Sequence, residues 1–301
     1  MTPEAPNAPS PAQPELKIGI PKGSLQDPTV DLFRRAGYAV EVSSRSYYPR
    51  IDDPALSCLL FRSQEMSRYV EDGVIDLGIC GHDWVVENGS DVHEVCELRY
   101  SRATTRPARW VLAVPEESAV TTPEQLAGGI VATELVGTVG RYFQEKGVEV
   151  KKVEFSWGAT EVKARLIDAI VDITETGSSL VANKLRVVDT ILTSTTRLIA
   201  NQDTWADPRK RARIEDLALL LRGAIAARGR VGLKLNAPRE RLDEVLALLP
   251  AAKSPTVNEL ADRAWVAVEV IVERTTEREL VPRLHRAGAT DIFSYPLQSV
   301  I

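Results

Sequence analysis

From residue 16 to residue 200 the apolar positions fall into short runs separated by stretches of helical spacing. Leu16-Lys17-Ile18-Gly19-Ile20 and the runs at 39–42, 57–61 and 75–80 have the length of strands, and residues 25–36 read as a helix after the first of them. A second set begins at residues 109–114 and continues through 129–133, a helix around 137–146, and strands at 150–155 and 169–173. Alternation of this kind predicts largely parallel sheets with helices on their faces. Residues 187–200 are extended and β-branched, and can return the chain from the second set to the first. The expected core is two α/β lobes with a cleft between them.

Beyond residue 200 the pattern changes. Ile214, Leu217, Leu221 and Ile225 recur at helical spacing, which predicts one long amphipathic helix over 207–227. After Arg228-Gly229 the runs at 231–235, 239–248, 256–260, 265–272, 277–287 and 291–294 spell strand, helix, strand, strand, helix, strand, the order of a ferredoxin-like βαββαβ unit. The resulting plan has a disordered tail at 1–15, a first lobe from 16–104 and 195–227, a second lobe from 105–194, and a separate unit at 228–301.

Composition narrows the function. With 301 residues, 44% of them hydrophobic, the chain can bury two or three cores. A net charge of -5 argues against a nucleic-acid groove, so anionic substrates must be met by local cations. Cys58, Cys80 and Cys96 lack metal-type spacing and read as thiols of a reducing compartment. Residues 1–15 are rich in Pro and Ala without the basic and apolar regions of a secretory signal, and no apolar run is long enough to cross a bilayer. A cytoplasmic protein is expected.

The segment with most chemistry is 168–180, Asp-Ala-Ile-Val-Asp-Ile-Thr-Glu-Thr-Gly-Ser-Ser-Leu. An apolar run enters a turn of acids, hydroxyls and glycine, and a helix-compatible stretch follows. The first N–H groups of such a helix point back into the turn, so Thr176, Gly177, Ser178 and Ser179 can wrap a phosphate. Asp172 and Glu175 would repel a bare phosphate, which suggests a ligand that also carries sugar hydroxyls or a divalent cation. Phosphoribosyl diphosphate has all three features. The same residues also read as an ordinary helix cap.

Four further segments precede the loop in fixed order: Ile20-Pro21-Lys22-Gly23-Ser24-Leu25, Phe61-Arg62, residues 72–83 (Asp-Gly-Val-Ile-Asp-Leu-Gly-Ile-Cys-Gly-His-Asp), and Gly158-Ala159-Thr160-Glu161. Together with the loop they resemble the ATP phosphoribosyltransferases, from about Leu16 to the C-terminus, and the tail resembles the long form with its own regulatory domain. Ser179 stands where the family usually has threonine, and the connector from Glu161 to Asp168 looks shorter than in many relatives. The resemblance implies a two-lobed, periplasmic-binding-protein-like catalytic core, and a reaction in which N1 of ATP displaces pyrophosphate from phosphoribosyl diphosphate with substrate-associated Mg²⁺. Because the nucleophile comes from substrate, alignment and charge neutralisation must carry the catalysis.

On that footing Lys22, Arg62 and Asp172 are the candidate catalytic residues. Glu161, Asp172, Glu175, Thr176, Gly177, Ser178 and Ser179 are candidates for the phosphoribosyl diphosphate site, and Lys22, Gly23, Arg62 and Asp83 for the ATP site. Any single Lys or Arg also reads as a surface charge, and Asp83 as a helix cap. Glu161 also reads as a helix-start carboxylate, and Asp76 is a weaker candidate beside Asp83. Trp84 and Trp157 read as packing aromatics and are left out of the site. No protein-held metal is expected. The tail domain is expected to bind histidine as inhibitor through Asn236, Ser254, Thr256, Ile271 and Asp291, in a homo-oligomer between dimer and hexamer. Two rivals are a solute receptor, which needs an export signal, and a dinucleotide-binding dehydrogenase, of whose Gly-x-Gly-x-x-Gly fingerprint Gly137-Thr138-Val139-Gly140 offers half.

Overall fold

The computed structural model describes residues 15–100, 106–158, 160–250 and 255–301. Of the segments singled out in the sequence, most of the expected tail, Ala159 and Ser254 lie outside the described residues. The chain forms two compact units, the first extending to Ala218 and the second beginning at Leu219.

The first lobe opens with β1 (Leu16–Lys22), α1 (Gln26–Arg35), the two-residue strands β2 (Val40–Glu41) and β3 (Arg50–Ile51), β4 (Leu56–Arg62), α2 (Ser63–Glu71), β5 (Leu77–Gly81), α3 (His82–Asn88) and β6 (His93–Leu98). The second lobe holds β7 (Ala108–Pro115), β8 (Ile130–Thr133), α4 (Val136–Glu145), β9 (Lys152–Phe155), α5 (Thr160–Lys163), β10 (Ala169–Thr174), α6 (Ser178–Ala182) and β11 (Leu185–Ser194). Strand β12 (Thr196–Ala200) then returns to the first lobe, followed by α7 (Gln202–Ala206) and α8 (Pro208–Ala226).

Each lobe has one five-stranded sheet, in the orders β4-β1-β5-β12-β6 and β11-β7-β10-β8-β9. Strand β1 runs parallel to β4 and β5, and β8 parallel to β9 and β10. The other pairings are antiparallel: β12 with β5 and β6, and β7 with β10 and β11. The sheets are therefore mixed rather than largely parallel. The strands by which the chain crosses between lobes enter from the opposite direction, and an apolar run carries no information about direction.

The first-lobe core is set by a close approach. Gly19 and Gly78 are paired on β1 and β5, and Met66 of α2 sits over both. A Cβ at Gly19 would lie 2.3 Å from Met66 Sδ, and one at Gly78 2.7 Å from Met66 Cγ. Two adjacent strands without side chains thus seat a fully buried Met66 and bring α2 onto the sheet. Behind this sheet Asp76 accepts from Lys17 N–H at 2.8 Å, Thr204 Oγ1 at 2.9 Å and Lys210 Nζ at 2.8 Å. These bonds account for Asp76 as a structural anchor that ties the start of α8 to the sheet.

The second unit continues with β13 (Arg230–Pro238), α9 (Leu242–Leu248), β14 (Thr256–Glu259), β15 (Trp265–Glu273), α10 (Arg274–Arg286) and β16 (Thr290–Pro296). Its antiparallel sheet has the order β14-β15-β13-β16, which is the ferredoxin-like arrangement. Strand alternation sorts the faces: Val231, Leu233, Leu235, Val266, Val268 and Val272 join the core with Leu280 and Leu284 of α10, leaving Lys234, Asn236, Glu269 and Ile271 on the open face.

Candidate active site

Lys22 and Arg62 are direct partners in the register of β1 and β4, each the last residue of its strand. Parallel pairing thus brings two cations forty residues apart in sequence side by side at the carboxyl edge of the sheet, where open α/β sheets collect ligands. Both are exposed and border a cleft of about 380 Å³ with Gly23, Asp83, Glu134 and Glu175. Gly23, at φ 107°, turns the chain away from β1 with open space where a Cβ would be. Lys22 Nζ donates to the Tyr47 hydroxyl at 3.1 Å and stands 4.1 Å from that ring's centre. Lys22, with Arg62 behind it, holds the Tyr47 phenol below its ordinary range. The Arg62 guanidinium lies 5.5 Å from the centre of the Trp157 ring, which belongs to the opposite lobe.

On the second lobe, β10 ends at Thr174 and the hydroxyl-rich turn begins. Thr174 Oγ1 accepts Gly177 N–H at 2.8 Å, Thr176 Oγ1 accepts Ser178 N–H at 3.3 Å, and the Thr176 and Ser178 hydroxyls are 2.9 Å apart. Gly177, at φ 80°, is the position that requires glycine, and a Cβ there meets nothing within 4 Å. The Ser179 hydroxyl donates to Glu161. Asp172 is half-buried behind the turn, and its carboxyl is pushed up to about 6, first by burial and then by the negative charge of Glu161 and Glu134. Among the described residues no group of three or more His, Cys, Asp or Glu side chains is arranged to hold a metal ion.

Asp83, expected against a nucleotide, lines the cleft and is held by protein groups. It is 3% exposed, and its oxygens accept Trp110 Nε1–H at 2.7 Å, the Ser194 hydroxyl at 2.9 Å and Trp84 N–H at 3.1 Å. Burial raises its carboxyl above the usual range while these donors pull the other way. Its oxygens are engaged by these protein donors in the wall of the cleft. Trp84 and Trp110, edge to face with centroids 6.3 Å apart, both line the cleft. Ser194, Glu134 and Trp110 carry no local signal in the sequence, because only the crossing of the chain between lobes brings them here.

In the second unit the described regulatory candidates, Asn236, Thr256, Ile271 and Asp291, share the open sheet face without forming one cluster. Asn236 Nδ2 donates to Asp291 Oδ2 at 2.9 Å, and Asp291 adopts φ 47° at an irregularity in the β13–β16 pairing. Thr256 pairs with Glu269 on the far side of β15, and Ile271 pairs with Gly232. Between them Tyr295 lies across Gly232 and donates to Glu269.

Paired cations on one α/β lobe and Glu175, from the hydroxyl-rich glycine turn of the other, line one cleft, an arrangement suited to phosphorylated substrates. The sequence profile of the ATP phosphoribosyltransferase family matches residues 62–223, and that of its C-terminal domain residues 227–299. The chain is 55% identical over 287 residues to the ATP phosphoribosyltransferase of Pelodictyon phaeoclathratiforme, covering 95% of this chain and 97% of the relative. It is 53% identical to that of Solibacter usitatus, with 95% and 99% covered. Among solved structures, the ATP phosphoribosyl transferase (HisG:HisZ) complex from Thermotoga maritima superposes with a TM-score of 0.58 at 28% identity, over 69% of this chain and 98% of that one. This chain belongs to the ATP phosphoribosyltransferase family, pentosyltransferases of the first step of histidine biosynthesis. No helix among the described residues is long and apolar enough to cross a membrane.

Proposed function

We propose that Lys22 and Arg62 receive the phosphates of ATP and phosphoribosyl diphosphate, and that the 174–179 turn holds the 5′-phosphate of the sugar. The pairing of Lys22 with Arg62 at the edge of a 380 Å³ cleft that Glu175 of that turn also lines supports the reading. In the transfer, adenine N1 forms a bond to the anomeric carbon as the bond from that carbon to the diphosphate oxygen breaks, and pyrophosphate leaves with the bonding pair. Fixed positive charge at the leaving group and alignment of the two substrates lower the barrier. Asp172 and Glu161 accept the ribose hydroxyls from the second lobe, and Gly23 lets the backbone approach the triphosphate. Asp83 supports the wall behind the nucleotide. The carboxylates spread along the loop suit a Mg²⁺ ion carried in on the diphosphate; Asp172 and Glu175 would help to hold it, and it would neutralise leaving-group charge.

The second unit binds histidine on its open face, with Asn236 and Asp291 at one edge, Thr256 at the other close to Ser254 in sequence, and Ile271 as an apolar contact, and lowers activity in a homo-oligomer. The working compartment is the cytoplasm, which suits three free cysteines. Thermal unfolding tests the substrate assignment: phosphoribosyl diphosphate with Mg²⁺, and ATP, should each raise Tm, while NAD should not. Stabilisation by NAD alone would overturn it.

A further inference from the structure

Helix α3 belongs to the first lobe by sequence and fastens itself to the second by its side chains. Glu87 Oε1 accepts Gly137 N–H at 2.8 Å, and Glu87 Oε2 accepts both Thr138 N–H and the Thr138 hydroxyl at 2.7 Å. These donors form the first turn of α4 in the opposite lobe. The first N–H groups of a helix have no partner within it and carry the positive end of its dipole, so a carboxylate there is doubly favoured. The α4 N-cap position is Leu135, which offers no capping side chain. The cap that the local sequence lacks is supplied from across the cleft. Arg141 closes the arrangement by donating to Val86 O at 2.9 Å and to the Thr138 hydroxyl at 3.2 Å.

This joint is continuous with the reaction cleft on both sides. One turn before Glu87 on α3 stand Asp83 and Trp84, and Asp83 holds Trp110 and Ser194. Immediately before α4 stands Glu134, which lines the cleft, accepts Gly158 N–H at 3.2 Å and contributes to the raised carboxyl of Asp172. The glycine-containing start of α4, half of a dinucleotide fingerprint in the sequence, therefore has its N–H groups turned to Glu87 and away from any cofactor phosphate.

We propose that Glu87 is a positioning residue for the transfer: by capping α4 across the lobes it fixes the spacing between the nucleotide wall and the ribose-phosphate wall. The effect on kinetics rests on the cleft being the transfer site; the effect on lobe spacing does not. Two measurements on the full chain separate them. The first is the distance distribution between spin labels placed through a non-natural amino acid at exposed Arg68 and Lys151, one on each lobe, without substrates. The second is kcat/KM for each substrate. Glu87→Ala should broaden the distance distribution and lower kcat/KM for both substrates roughly 10- to 100-fold, the range expected for a misplacement of about 1 Å. Glu87→Gln should do less, since an amide oxygen still accepts one N–H. Thr138→Val, which removes one hydroxyl and leaves both N–H donors, should shift both readings in the same direction by a smaller amount, and it carries the test should Glu87→Ala not fold. An unchanged distribution in these variants overturns the proposal whatever the kinetics. A changed distribution with normal kcat/KM refutes the positioning role while leaving the joint itself. A changed distribution in an enzyme inactive even as wild type would count against the transfer reading and not against the joint.

Discussion

At the scale of single residues, the site is organised by a contrast in exposure. Lys22 and Arg62 stand exposed at strand ends, whereas Asp172 is partly withdrawn from water beside two other carboxylates. Its carboxyl titrates at about 6 in the folded chain against 3.8 as the ordinary value. Between those values the folded state binds the proton more tightly than the unfolded chain, so this group's contribution to stability falls as pH rises from about 4 through about 6. Asp172→Asn should therefore stabilise the fold at pH 8 by on the order of 1 kcal/mol once partial exposure is allowed for, seen as a raised Tm, and change stability little at pH 4. If the ionised carboxylate receives the ribose, kcat/KM for phosphoribosyl diphosphate should fall as pH is lowered through about 6 in the wild type, and the variant should show a low, flat profile. A variant that kept the wild-type acid limb would remove Asp172 from that role. Lys22→Met and Arg62→Met should each cost roughly a hundredfold in kcat/KM with little loss of stability. Steady-state rates with each substrate varied, beside thermal melts, check this.

At the scale of elements, the catalytic edge depends on how α2 meets the sheet, since β4 delivers Arg62 directly into α2. Gly19→Ala or Gly78→Ala forces a methyl group against Met66, whose side chain is fully buried, and should destabilise the fold by about 1–3 kcal/mol. Urea unfolding measures it, and Met66→Ala in the same chain should recover part of the loss. Much of this level is legible in the sequence. The runs at 57–61, 109–114 and 169–173 became β4, β7 and β10, and the C-terminal pattern became βαββαβ. The 174–179 turn sits at a strand end because glycine and hydroxyls punctuate the apolar run. Strand direction was not legible, nor was β6, whose residues 93–97 are uniformly half-buried and do not alternate. The same limit hid Trp110, Ser194 and Glu87. Each is ordinary in its own neighbourhood and acquires a role from the opposite lobe.

At the scale of the whole molecule, every residue proposed for the transfer falls in the first unit, while the second presents Asn236, Asp291 and Thr256 on an open sheet face. Histidine can inhibit only by favouring one conformation or assembly over another. Free histidine should inhibit the intact enzyme, and Thr256→Ala or Asp291→Asn should raise the inhibitory concentration roughly tenfold, the worth of one hydrogen bond, without altering the uninhibited rate. Asparagine is the choice at position 291 because it tolerates the left-handed backbone found there. Calorimetry that detects no histidine binding would leave the second unit with an assembly role alone. The central claim, that cations on one lobe and the Gly177 turn on the other act on two substrates across one cleft, is tested most directly by pyrophosphate release in wild type and Gly177→Val. The wild type should release pyrophosphate only when ATP and phosphoribosyl diphosphate with Mg²⁺ are both present, and the variant, with unchanged far-ultraviolet circular dichroism, should release almost none. Wild-type turnover by Gly177→Val would contradict the account.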